Sequence, residues 1–275
     1  MTPLKLDSCL AKLMRAKVHR HALRALEPRL ETESPTIGIK FDSATGEHVV
    51  YISQCPDNSS LFLRASLILG DTVQNLRGAL DHLVYALADW RRQGNIINPD
   101  QTQFPICDNP TNFNSQANRY LREIHPLHVA VIERFQTYNA LDLISTGSGP
   151  ALHPFGLLRD LSNADKHRIL NVVVIPTNVT ITTGFQLVDG VNRTTSHALW
   201  GQPAELGTEV YRFVRPDRLP DVEVIGSIGS SIALPNLPTR PLHSIAEHLE
   251  RNVSQVIRLF EPLTRQAFSV DNAIR

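Results

Sequence analysis

The chain has 275 residues, 27 Lys+Arg against 27 Asp+Glu, 42% hydrophobic residues and 11 histidines. That length supports one large domain or two small ones with an extensive core. A zero formal net charge argues against a dedicated electrostatic binder of duplex nucleic acid, while leaving room for a local basic cleft.

In chain order, residues 4 to about 27 read as a helix with Leu6, Leu10, Leu13, Met14, Val18, Ala22 and Leu26 on one apolar stripe. His21 falls inside that stripe, His19 points away, and Pro28 is expected to end the helix. The alternation in 36–53 predicts a β-hairpin turning at Asp42 to Gly46. A long helical stretch follows from about Leu61 to Arg92, with Gly70 marking a break. Shorter helices are expected at 112–123 and 127–137, a glycine-containing loop at Ser145 to Pro154, and a helix from Phe155 to His167.

From 169 to 235 the β-branched runs ILNVVVI, NVTITTGFQLV, TEVYRFV and VEVIGSI predict mostly strand. A last helix at 241–261 places Leu242, Ile245, Leu249, Val253, Val256 and Phe260 on one side. The expectation is a single α+β domain over 1–275. Its helical-bundle part covers about 1–168 and 241–265, and the β-rich region forms a small, mostly antiparallel sheet.

No run reaches the roughly 20 apolar residues that span a bilayer, and the basic-apolar alternation of the first residues does not make a secretory signal. A cytoplasmic protein without a membrane partner is expected. Cys9, Cys55 and Cys107 are too few and too scattered for a disulfide framework or a zinc site. The histidines form no Glu-x-x-His or His-x-x-x-His pair, so neither metal nor cofactor is expected.

Two segments carry the chemistry. In GDTVQNLRGALDHLVYALADW, residues 70–90, Asp71, Asn75, Gly78 and His82 form a polar ridge opposite Val73, Leu76, Leu80, Leu83 and Leu87. Arg77 and Asp81, four apart, occupy an intermediate face. The ridge is either a solvated face with an ordinary ion pair or the lining of a cleft. In FGLLRDLSNADKHRILNVVV, residues 155–174, the face that begins with Leu158 and Leu161 continues to Asp165 and Arg168, beside Asn163, Lys166 and His167. Charge on a face that begins as core must pair or border a polar site.

The helix NLRGALDHL, with Arg77 and His82 separated by four residues, resembles the Arg-to-His motif of HEPN domains. The resemblance implies a helical bundle acting as a metal-independent endoribonuclease or phosphodiesterase, often through a homodimer. Arg77 would contact phosphate and stabilise the transition state, and His82 would transfer protons. Asn75, Lys166, His167 and Arg168 would help bind RNA, with Asp71, Asp81 and Asp165 in support. A regular helix turns residues five apart about 140° from each other, so a long arginine or a second copy would have to join them. NLRGALDHL followed by DKHR is also similar to a group of uncharacterised bacterial proteins. The alternative is a non-enzymatic protein whose Arg/Asp/His cluster is a structural network or binds a small anionic ligand.

Overall fold

Helical periodicity through residue 167, then β-branched runs, set the order of elements. The computed structural model describes residues 3–32, 36–54, 59–139, 153–167, 170, 172–183, 194–197, 206–213, 222–232 and 242–265. Among them are helices α1 (Asp7–Thr32), α2 (Ser59–Arg92), α3 (Pro110–Tyr120), α4 (Pro126–Glu133), α5 (Pro154–His167) and α6 (Leu242–Arg258). The strands are β1 (Thr36–Asp42), β2 (Glu47–Gln54), β3 (Val172–Thr183), β4 (Thr194–His197), β5 (Glu209–Phe213) and β6 (Val222–Ile232). They form two antiparallel sheets, ordered β1-β2-β5 and β4-β3-β6. The fold is α+β. The expected loop at Ser145 to Pro154 lies almost wholly outside the described residues, and Arg168 lies outside them too.

The chain falls into two compact units, 1–22 with 67–169 and 243–275, and 23–66 with 170–242. The second unit holds both sheets. Its hairpin closes as the turn residues require: the Gly46 N–H donates to the Asp42 carbonyl at 2.8 Å and the Ala44 N–H to the Asp42 carboxylate at 3.0 Å. Gly46 takes φ 72°, a left-handed conformation that glycine adopts without strain. β5 joins this hairpin, where Arg212 bridges Glu209, Asp42 and Glu47 at 2.5, 2.9 and 3.4 Å. The two runs expected on either side of Pro176 form the single strand β3. A register shift between Pro176 and Asn178 absorbs the missing N–H.

The first unit is helical, and two expectations about its long helices are corrected. α1 does not end at Pro28 but continues to Thr32; the proline ring sits on an exposed face, where it meets no packed neighbour. α1 also buries only part of the expected apolar stripe. Leu6 and Leu26 are buried together with Cys9, Ala16 and Leu23, whereas Leu10, Met14 and Val18 are 45, 61 and 51% exposed. The inward face is the one whose small residues admit a neighbour and whose Arg20 donates to Glu250 of α6 at 2.6 Å. His19 is accordingly half-buried, 4.0 Å from the Asp71 carboxylate, and His21 is exposed, the reverse of the expectation.

α2 is unbroken at Gly70. The glycine serves a helix crossing: a Cβ built there would lie 2.2 Å from an Asp165 carboxylate oxygen of α5. α6 buries Leu242, Ile245, Leu249, Val253, Val256 and Phe260, the face its spacing predicts.

Candidate functional site

Arg77 sits on α2 beside the buried Leu76, Ala79 and Leu80. Arg77 is buried, and its Nη2 donates to the Phe104 carbonyl at 2.5 Å while lying 3.2 Å from Asp81 Oδ1. The same Asp81 oxygen accepts the Phe104 N–H at 2.9 Å. One helical turn of α2 thus holds both backbone groups of Phe104, and the fully buried Phe104 ring stacks on Phe155 of α5 at 6.1 Å between centroids. Burial pushes the Asp81 carboxyl above its ordinary range, against the opposing pull of Arg77, the Phe104 N–H and Lys166.

The residues after Phe104 are fixed from the other side by Gln136, which is fully buried. Its amide donates to the Pro105 carbonyl at 3.0 Å and accepts from the Cys107 N–H at 2.8 Å. Thr137 Oγ1 donates to the Cys107 carbonyl and to Asp108, each at 2.8 Å. Asp108 in turn takes Arg159 Nη1 of α5 at 2.7 Å, and Asp160 takes Arg159 Nε at 2.9 Å. The Arg159 hydrogen bond holds the Asp108 carboxyl below the usual carboxylate range. Arg159 loses by burial but gains more from the two carboxylates, so its charge is secure.

Between these fixed parts lies an open cleft of about 150 Å³, lined by Arg77, Gln103, Ile106, Gln116, Arg159, Ser162, Asn163 and Lys166. Three cations and three side-chain amides face it, and no carboxylate is among the lining residues. Arg159, Ser162, Asn163 and Lys166 reach it because they recur along one face of α5. Lys166 is exposed and, among the described residues, has no ion-pair partner within 4.0 Å. Arg159 Nη2 and the side-chain amides of Gln103, Gln116 and Asn163 likewise have no hydrogen-bond partner among the described residues.

The other residues singled out by sequence are placed elsewhere. Asp165, expected to pair or border a polar site, accepts from Gln74 of α2 at 2.9 Å, and Gln74 also donates to the Ser162 carbonyl at 3.2 Å. Asn75 donates to the Asp71 carbonyl of its own helix at 2.7 Å. The Gly78 position meets the Lys12 methylenes of α1 at an ordinary 3.6 Å, so the ridge Asp71, Asn75, Gly78 follows α1. His82 is half-buried on that helix and is not among the residues lining the cleft. His167, the last residue of α5, is exposed.

The structure therefore gathers Arg77 and Lys166 but does not bring His82 to them. Gln74, Gln103, Gln116, Gln136, Asp108 and Arg159 escaped the sequence reading. A signal existed for Arg159 alone, in its helical spacing to Asn163 and Lys166. No cluster of three metal-ligating side chains occurs among the described residues, and none of their helices is long and apolar enough to cross a membrane.

No family model, no curated protein and no solved structure matches this chain.

Proposed function

We propose that the protein binds a small anionic ligand in the cleft between α2, α3, α5 and the 103–106 segment. The observation that carries this reading is the lining itself: Arg77, Arg159 and Lys166 surround it without a carboxylate among them. Arg77 and Arg159 already satisfy Asp81, Asp108 and Asp160 outside the lining, which fixes their guanidinium planes in advance. An anion entering the cleft meets charge-assisted donors whose orientation entropy is already lost, the condition under which such bonds are strongest. Lys166 supplies the mobile charge.

A ribonuclease using Arg77 and His82 remains a second proposal, favoured by one observation: Arg77, the residue to which the motif assigns phosphate contact, lines the cleft. That reading also requires His82 to reach the bound phosphate, through a second copy of the chain or a rearranged α2.

One experiment addresses both. Thermal unfolding is followed in a non-coordinating buffer at constant ionic strength while small anions are added. Anion binding predicts a saturable rise in melting temperature for the wild type and for His82→Ala, and its loss in Lys166→Glu. A response unchanged in Lys166→Glu contradicts it. RNA cleavage by the wild type that disappears in His82→Ala would instead establish the nuclease.

A further inference from the structure

Phosphate, carboxylates and nucleotides are all anions, but they ask different things of a site. A nucleotide needs a surface on which its base can stack, and binding pockets for whole molecules of that size span roughly 300–1,000 Å³. The cleft offers about 150 Å³. Its lining contains no aromatic ring and a single apolar side chain, Ile106. A planar carboxylate presents two oxygens in one plane. Here the donors come from four segments: Arg77 on α2, Gln103 on the connecting segment, Gln116 on α3, and Arg159, Asn163 and Lys166 on α5. Donors spread over four segments suit a tetrahedral group, whose oxygens can be met from several sides, better than a planar one.

Resting on the anion-binding reading above, we propose that the cleft recognises the phosphate group itself, as inorganic phosphate or as the terminal group of a phosphomonoester whose remainder projects through the open side. Arg159 Nη2 and the unengaged nitrogens of Arg77 take the inner oxygens, because both guanidinium groups are held in place by their carboxylates. Lys166 closes over the outer oxygens from the last turn of α5. The side-chain amides of Gln103, Gln116 and Asn163 donate without adding charge, and since Arg77 and Arg159 are already paired with Asp81, Asp108 and Asp160, Lys166 brings the one lining cation that is not held in an ion pair among the described residues. Recognition is centred on the phosphate, since the lining offers no aromatic ring on which a base could stack.

The test is isothermal titration of the full chain with inorganic phosphate, glycerol phosphate, adenosine monophosphate and succinate, at one ionic strength. The wild type, Lys166→Glu, Lys166→Arg and Arg159→Gln are compared, with ligand-free melting curves to establish that each variant is folded. Phosphate is expected to bind one to one, at least tenfold more weakly to Lys166→Glu and within about threefold of wild type to Lys166→Arg. Glycerol phosphate binding as tightly as phosphate assigns the natural source to a monoester end, and markedly weaker binding assigns it to the free ion; both support the inference. Adenosine monophosphate binding more than tenfold tighter than phosphate, or succinate binding tighter than phosphate, overturns it while leaving the anion-binding reading intact. Binding of every anion unaffected by Lys166→Glu and Arg159→Gln overturns both.

Discussion

Arg77 has a structural duty, to which the proposed reading would add a binding one. Removing its side chain leaves the Phe104 carbonyl without its donor and the partly buried Asp81 without its partner. Losing one member of such a pair costs more than the pair contributes, so Arg77→Ala is expected to destabilise the protein by about 2–4 kcal/mol in urea unfolding. Lysine, with one ammonium in place of a fork, should restore little of it.

A second residue-level prediction concerns His128, whose ring packs against Trp90 and Phe260 at 5.7 and 5.5 Å. Burial, aided by His125 and Arg91, lowers its pKa from 6.5 to about 4. The unfolded chain then takes up a proton near pH 6.5 that the folded chain refuses until about pH 4. Stability therefore falls as pH drops through that window, by about 1–2 kcal/mol after discounting for the solvent that reaches the ring. Urea midpoints at pH 7 and pH 4.5 should differ less for His128→Phe than for the wild type; equal differences would remove His128 from the account.

At the scale of elements, the α2–α5 crossing depends on Gly70. Gly70→Ala places a methyl 2.2 Å from an Asp165 oxygen and is expected to cost about 1–3 kcal/mol. In an Asp165→Ala background the same substitution should cost much less, because the clash and the Gln74 bond vanish together. Additive losses would show that the crossing is not what Gly70 serves.

This crossing also marks how far the sequence was legible. Helix and strand positions follow from periodicity and turn residues, and the buried face of α6 is legible because its apolar residues recur on one side, which is the side that is buried. α1 is less legible: beside Leu6, Leu23 and Leu26 it packs through Cys9, Ala16 and an ion-paired Arg20, while Leu10, Met14 and Val18 of the apolar stripe stay exposed. Gly70 reads locally as a helix breaker, and only the approach of a residue 95 positions later gives it a packing role. The cleft was half visible. Lys166 stood out as charge, and Arg77 as part of a motif, but glutamine contacts between remote segments leave no periodic trace.

At the scale of the whole molecule, the balance of 27 cations and 27 anions is repeated around the cleft, where Arg77, Arg159 and Lys166 stand against three carboxylates. Carboxylates of Asp81, Asp108 and Asp160 lie behind the guanidinium groups, and the cleft is left lined by donors. On the proposed reading such a site would take a small anion without making the surface broadly basic, in keeping with a total charge that disfavours wide electrostatic capture of nucleic acid. The most direct test of the anion site is amide hydrogen exchange with and without saturating phosphate. Slower exchange concentrated in 103–107, α3 and α5, absent in Lys166→Glu, is the expected result. Protection centred on α1 and the Asp71, Asn75 and His82 face, or no protection under conditions where phosphate raises the melting temperature, would contradict it.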